Sequence, residues 1–410
     1  MRVPNEKRAL VIATEVWPLA ARISLALSRA GFSVAALSPL GGLTRKTKAI
    51  DEHYVYLPWS GAKSIERAIR HWSPDVLVPA DDQATAHLHF LHRRSTSRGT
   101  DAGSLARLIE VSLGDPTHFA TAREKSKFIM QAQALGVRCP ATVILSDDHE
   151  AEPEFGGLNF PVVVKADGTH GGVGVRLAKD IAEMRHAIGQ LKERQPGGLH
   201  SLLHGRFLSN GNSFSPRTIC VQQFIEGRPA NRALVCSNGK VLAGINVEVI
   251  QSQSEFGAAS VVRIVDRPEM SAAAERLVEQ FRLSGFIGFD FMIDGKGRLW
   301  LLEMNPRATP SAYIPTATGQ DLAAAIYAQI AGKAIPAPAP GKTSNEVVVL
   351  FPQELIRDPK SAYLESSGAH LYDIPWHEPR LVRACINYAL EKGIVKRARR
   401  KLGIGMIGFP

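Results

Sequence analysis

Gly285-Phe-Ile-Gly-Phe-Asp290-Phe-Met-Ile-Asp-Gly-Lys-Gly-Arg-Leu-Trp-Leu-Leu-Glu303-Met-Asn305-Pro-Arg307 reads as a β-hairpin with metal-ligand side chains on its polar face. Both arms alternate as half-buried strands should. In the first arm Ile287, Phe289, Phe291 and Ile293 share a face, which leaves Asp290 on the other. In the second, Trp300, Leu302 and Met304 share a face opposite Glu303 and Asn305. Asp294-Gly-Lys-Gly297 is a tight-turn signal. A two-residue loop at Gly295-Lys296 predicts Asp290 opposite Leu301, with Glu303 one diagonal step away, roughly 7–8 Å at Cα. Two carboxylates and an amide, without His or Cys, form a hard-oxygen set suited to Mg²⁺ held with phosphates. A three-residue loop would turn Asp290 to the wrong face. Taken alone, a solvated strand Asp and a turn-entry Glu-x-Asn account for the same residues.

Working outward, 410 residues allow two or three structural units. Hydrophobic content of 45% and charged content of 21% are those of an ordinary globular chain. Cys139, Cys220, Cys236 and Cys385 are scattered without a CxxC pair, which argues against a zinc site or a disulfide framework and predicts a reducing, cytoplasmic setting. No apolar run approaches about 18 residues, so no membrane span is expected. Part of the net charge of +10 lies in Lys392-Gly-Ile-Val-Lys-Arg-Ala-Arg-Arg-Lys401, read as a solvated basic helix end. No aromatic interleaving or nucleic-acid motif accompanies it, so no specific nucleic-acid partner is expected. A positive field favours small anionic ligands.

Residues 8–115 alternate strand and helix, which predicts a parallel, doubly wound sheet. GxGxxG is missing after its first strand, and Asp81-Asp82 follow its last, where such sheets place ligands. His87, His89 and His92 are read as core rather than ligands. Asp115–Leu135 reads as one helix capped by Asp115, with Lys125 at its middle. We expect domains at 1–113, 114–332 and 333–410. The second contains a Gly-rich lid at about 140–200 and a metal-site half at about 218–332; the third is a linker and C-terminal extension. Residues 195–217 read as a long functional loop.

Phe160-Pro-Val-Val-Val-Lys165 is a short strand ending in Lys, followed by a loop bearing Gly168, Gly171, Gly172 and Gly174 and by a second strand. Glycines let backbone N–H groups surround phosphate oxygens, and Lys adds a point charge. No Gly-Lys-Ser/Thr comes next, so this is not a Walker loop; a plain hairpin turn would use the same glycines. Thr218–Gly227 is a strand running into a turn, and Gln222, Gln223, Phe224 and Ile225 at its end can offer polar and apolar contacts to an adenine ring.

In this order, Lys125, Lys165, Gly168–Gly174, Gln222–Gly227, Asp290, Glu303, Asn305 and Arg307 resemble the pattern of the ATP-grasp superfamily over roughly 116–330. The resemblance implies an ATP-grasp fold of α+β subdomains preceded by a parallel α/β domain. ATP would lie with Lys125 and Lys165 on its phosphates under the glycine loop. Asp290, Glu303 and Asn305 would hold two Mg²⁺, with Mn²⁺ able to replace them, and Arg307 would steady the transferring phosphate. It further implies a ligase that activates a small carboxylate as an acylphosphate and couples it to an amine, in a chain free to be a homodimer. Carboxylation or phosphoryl transfer on the same scaffold, and a non-catalytic ATP-binding role, are the alternatives. Two departures stand out. Pro229 occupies the place of the usual ribose-binding Glu, which leaves that contact to Asn231 or to no residue; and Gly288 replaces the Arg of the D-alanine–D-alanine ligase type. The Asn305-Pro-Arg307 ending is more similar to the carbamoyl-phosphate synthetase and biotin carboxylase branch.

Overall fold

Among the described residues, three β-sheets and the helices between them make up the fold. A computed structural model describes residues 6–97, 102–145, 157–167, 174–193, 218–254, 257–314, 320–336, 345–365 and 371–401. The first sheet is parallel in the order β3-β2-β1-β4, from β1 (Arg8–Ile12), β2 (Ser33–Ser38), β3 (Glu52–Val55) and β4 (Val76–Pro79). Its strands are apolar on both sides because both faces are covered. Leu10, Ile12, Leu37 and Leu77 pack with Ile65, Leu88 and Ile109 of the helices Gly61–Trp72, Asp82–Thr96 and Ala102–Leu113. On the other face Val11, Val34 and Val78 meet the helix Pro18–Arg29 and the large sheet.

The second sheet is antiparallel, ordered β5-β8-β6-β7, from β5 (Thr142–Leu145), β6 (Val162–Ala166), β7 (Val175–Ala178) and β8 (Ile219–Gln223). Val162, Val164, Ile219 and Val221 bury against the helix Ile181–Glu193. β5, β6 and β7 fall in the predicted lid at about 140–200, whereas β8, expected in the metal-site half, pairs between β5 and β6 and belongs to this sheet instead; Gly168, Gly171 and Gly172, and the loop read at 195–217 up to Arg217, lie outside the described residues.

The third sheet has seven strands in the order β13-β12-β9-β10-β11-β14-β15: β9 (Gly227–Ser237), β10 (Lys240–Ser252), β11 (Ala259–Ile264), β12 (Gly285–Asp294), β13 (Leu299–Asn305), β14 (Val347–Leu350) and β15 (Leu371–Asp373). Its two faces divide cleanly. Leu234, Cys236, Ile287, Phe289, Phe291 and Ile293 bury with the helices Lys125–Ala134 and Pro268–Gln280. Ala233, Val235, Ile245, Val247 and Phe286 bury toward the first sheet with the helix Leu322–Ala331. Residues beyond 333, expected to be a linker and an extension, supply β14 and β15 to this sheet. The helix Pro379–Lys401 returns to the first domain, where Leu381, Val382 and Cys385 pack on Ala21 and Leu43. The basic run lies in the last turns of this helix.

The predicted helix Asp115–Leu135 is a sequence of shorter pieces. Pro116–His118 forms a 3₁₀ turn and Phe119–Arg123 a short helix; Glu124 then leaves helical geometry (φ −93°, ψ 96°) before Lys125–Ala134 begins. Lys125 is therefore the first residue of a helix, not its middle. The apolar periodicity is shared across the break, so spacing alone could not show it. No helix among the described residues is long and apolar enough to cross a membrane. All four cysteines are unpaired and buried.

Candidate active site

The hairpin closes with the loop length that the sequence reading could not tolerate, and a bulge corrects it. Asp294 N–H donates to Arg298 O (3.0 Å) and Gly297 N–H to Asp294 O (2.9 Å), with Gly297 at φ +75°. The loop is therefore Gly295-Lys296-Gly297, three residues with glycine in the left-handed position. Ile293 pairs with Leu299, Met292 with Trp300 and Phe291 with Leu301. Continued unchanged, this register would set Asp290 against Leu302. Instead the pairing shifts by one residue, and Asp290 lies directly opposite Glu303. Leu302 is the extra residue of a β-bulge, which re-aims Glu303 and the rest of the strand. This corrects the expected pairing with Leu301. It also corrects the core face of the second arm, which is Leu299, Leu301 and Met304 rather than Trp300, Leu302 and Met304.

Asp290, Glu303 and Asn305 thus share one face at the open end of the hairpin. Asn305 Nδ2 donates to Asp290 Oδ2 (2.8 Å), and Asn231, opposite Asp290 on β9, donates to the other carboxylate oxygen. Ser311 Oγ in turn donates to Asn231 Oδ1 (2.9 Å). Asn231 therefore sits with the carboxylates; its side chain, expected to reach a ribose, orients Asp290. Lys125 Nζ donates to Glu303 Oε2 at 2.7 Å, from the new helix start. Lys165, the last residue but one of β6, donates to Gln222 Oε1 (2.6 Å), whose amide donates to Thr142 Oγ1 (3.0 Å). Gln222 is buried, and its side chain holds Lys165. Gln223 donates to Asn159 O (2.8 Å) and accepts from Asn159 N–H (2.8 Å), bracing the lid edge, while Phe224 and Ile225 are half-buried at the end of β8. Gly174, the described end of the glycine loop, accepts from Ala166 N–H (3.0 Å).

Arg307 is held from the first domain. Its guanidinium forms an ion pair with Asp82 (3.0 Å), donates to Asn305 Oδ1 (3.3 Å) and lies over the Trp17 ring. Asp82 starts the helix Asp82–Thr96 at the carboxyl end of β4, and Ala308 N–H on Pro79 O (3.1 Å) ties the two segments. Asp81 is structural: it caps that helix through Ala84 N–H (2.8 Å) and accepts two bonds from Thr14. The sequence reading missed Ser126 and Asp167. Ser126 Oγ donates to Asp167 Oδ2 (2.7 Å), joining the Lys125 helix to the start of the glycine loop. An Asp two residues after a strand-end Lys is the only signal that could have flagged it. The buried histidines are core, as expected: His87 bonds Tyr56, His89 stacks on Phe119 at 4.0 Å and His92 meets Glu110 at 2.9 Å.

The electrostatics derive from the crowding. Burial and the facing Glu303 push Asp290 up from the usual carboxylate range. Burial acts the same way on Glu303, but the charges of Lys125 and Lys165 outweigh it and hold Glu303 low. Lys125 is raised: burial opposes its charge, and the attraction of Glu303 is greater. Lys165 is lowered, chiefly by burial. Two facing carboxylates that resist joint ionisation are suited to a divalent cation, and the oxygen-only donor set fits Mg²⁺. Among the described residues no cluster of three or more His, Cys, Asp or Glu forms a metal cage. A metal here would thus draw further ligands from a substrate, which is the habit of Mg²⁺ with phosphates.

Residues 122–311 match the ATP-grasp domain family. The chain carries an ATP-grasp domain. Its relatives include the carbamoyl phosphate synthase large chain of Rubrobacter xylanophilus, 24% identical over 268 residues, which covers 64% of this chain and 24% of that one. The chain therefore spans about a quarter of the length of that relative. The D-alanine–D-alanine ligase of Neisseria gonorrhoeae is 23% identical over 197 residues, covering 45% of this chain and 57% of the ligase. Among solved structures, the biotin carboxylase domain dimer of Hydrogenobacter thermophilus 2-oxoglutarate carboxylase, in complex with MgADP, ADP and bicarbonate, shares the fold. Its TM-score is 0.61 at 18% identity, covering 83% of this chain and 73% of that one. Gly288 departs from the D-alanine ligase pattern for a steric reason. A Cβ there would come within 2.3 Å of Thr309 Cγ2, so a larger residue at this position would require Thr309 to move.

Proposed function

We propose that the chain is an ATP-dependent ligase that activates a small carboxylate and couples it to an amine. The observation that carries this reading is the direct opposition of Asp290 and Glu303 with Lys125 bonded to Glu303. Cations and carboxylates gathered in a desolvated cleft bind and charge-stabilise a transferring phosphoryl group. Lys125 and Lys165 would take the phosphate oxygens of ATP, Gln222 keeping Lys165 in place. Asp290, Glu303 and Asn305 would hold one or two Mg²⁺, which supply charge neutralisation and alignment of the phosphates. Asn231 would keep Asp290 turned toward that site. A carboxylate oxygen of the acid would attack the γ-phosphorus as ADP leaves, forming an acylphosphate. The amine nitrogen would then attack the acyl carbon, expelling inorganic phosphate and losing a proton. Arg307, steadied by Asp82 and Trp17, would hold the phosphoryl oxygens through both steps.

The purified chain should release phosphate from ATP only when an acid and an amine are both supplied, so a screen of acid–amine pairs by phosphate release tests the reading. Release that depends on bicarbonate and needs no amine would replace it with carboxylation. That second reading has support in the Asn305-Pro-Arg307 ending, which resembles that of the carbamoyl phosphate synthase branch.

The pKa of Asp290 sets a pH dependence. Because its folded value is raised, the proton on Asp290 contributes stability below the unfolded value, and this is lost as pH rises through the folded one. A bound dication would compensate for the resulting repulsion. Mg²⁺ with ADP should therefore raise the melting temperature more at pH 7.5 than at pH 5.5, as read by thermal unfolding. An equal shift at both pH values would show that the metal does not engage Asp290.

A further inference from the structure

The helix Pro379–Lys401 carries more apolar surface than its packing uses. Leu381, Cys385 and Ala389 are buried on its inner side, the first two against Ala21 and Leu43. A helix that packs on a single neighbour needs only that one stripe. A second stripe runs through Arg383, Ile386, Leu390, Ile394, Arg397 and Lys401, at spacings of three and four residues. Its first members are uncovered: Ile386 is 38% exposed, Leu390 47%, and Arg383 is exposed with them. Trp376, just ahead of the helix, is 70% exposed.

Positive charge gathers on the same element. From Arg380 to Lys401 stand eight Lys or Arg residues and one acid, Glu391. The 3₁₀ turn Leu43–Lys46 packs on this helix through Leu43. Arg45, Lys46 and Lys48 there are exposed, and residues 38–50 contain no Asp or Glu. Residues 402–410, Leu-Gly-Ile-Gly-Met-Ile-Gly-Phe-Pro, follow the basic run without a charged side chain.

We propose that this outer side of the helix docks the protein on an anionic lipid bilayer. The cations meet the lipid phosphates, while Ile386, Leu390 and Trp376 enter the boundary between headgroups and acyl chains, where Trp is favoured. No helix among the described residues is long and apolar enough to cross, so this helix lies along the surface. Three occupants compete for such a face. A nucleic-acid duplex would take the cations and leave the apolar stripe in water. A second copy of the chain would set eight cations against eight. An anionic bilayer matches both the charge and the apolar stripe. The docking face stands whether or not the ligase reading does.

Vesicle flotation of the full chain is the test, with vesicles of phosphatidylcholine alone and of phosphatidylcholine mixed with phosphatidylglycerol. The chain should bind the anionic vesicles roughly tenfold or more tightly than the neutral ones. Binding should weaken between about 0.1 M and about 1 M NaCl, as the field is screened. Arg397→Glu with Lys401→Glu, and separately Ile386→Ser with Leu390→Ser, should each weaken it roughly tenfold without changing the circular dichroism spectrum. The serine pair separates a bilayer from a plain polyanion, because only the bilayer uses the apolar side chains. The proposal is overturned if the anionic vesicles float without the chain, or if either folded double variant binds them as the parent does. It is overturned as well if a DNA duplex binds more tightly than the anionic vesicles, which would assign the face to nucleic acid. A dimer in sedimentation that the serine pair dissociates would assign it to a second copy, with the same consequence.

Discussion

Replacing Glu303 with Gln should lower turnover of ATP with the productive acid–amine pair by roughly 10²–10³-fold, the size expected when one preorganised electrostatic group is lost from a reacting site. The substitution keeps the shape of the side chain and removes its charge. Lys125 donates to Glu303 at 2.7 Å, and Lys125 and Lys165 together hold the carboxyl low. With a neutral amide, the two lysines would lose their shared anion and Asp290 would lose the carboxylate it faces. The fold should tolerate the change, because Glu303 lies on the open face of β13 while Met304 and Leu301 carry the packing. Steady-state kinetics and circular dichroism on the same preparation check it. Turnover within tenfold of the parent in a folded variant would remove Glu303 from the chemistry.

Phe289→Ala should cost about 3–5 kcal/mol of stability, the range for deleting a fully buried aromatic ring. Phe289 is 0% exposed and lies beside Phe128, with ring centroids 6.3 Å apart; Phe128 in turn meets Phe281 at 5.6 Å. This aromatic cluster pins the helix that begins with Lys125 onto the back of the strand that carries Asp290. A cavity there weakens the fold and loosens the spacing between Lys125 and Glu303. Urea unfolding measures the loss, and a drop below about 1 kcal/mol would show that the cluster relaxes to fill the gap.

Much of the site was legible in the residues. The strand character of Gly285–Asp294, the lysine near the end of β6 and Asp-…-Glu-x-Asn all come from period-2 alternation and side-chain chemistry, which are local properties. The limits appear at particular places. One extra residue at Leu302 reverses strand parity, and nothing in Leu-Trp-Leu-Leu marks which leucine leaves the ladder. The three-residue loop by itself would have turned Asp290 away from Glu303, and the bulge restores them; two one-residue shifts in the same direction add up to two, which preserves the parity of the faces. The break at Glu124 was hidden for a similar reason, since apolar positions continue through it. The bond from Asn231, read as one candidate for a ribose contact, to Asp290 was not legible, because only the antiparallel pairing of β9 and β12 puts them side by side.

By itself, then, the sequence determined the element types, the ATP-grasp domain and the identities of the acidic and basic groups, because these depend on local periodicity and on residue order. Tertiary structure alone decided which groups meet. The setting of Asp82 and Trp17 against Arg307, of Ser126 against Asp167, and of Arg22 against Asp373 joins residues up to 351 positions apart. Such meetings depend on sheet register and on how layers pack, and a one-residue shift changes them without altering any local pattern.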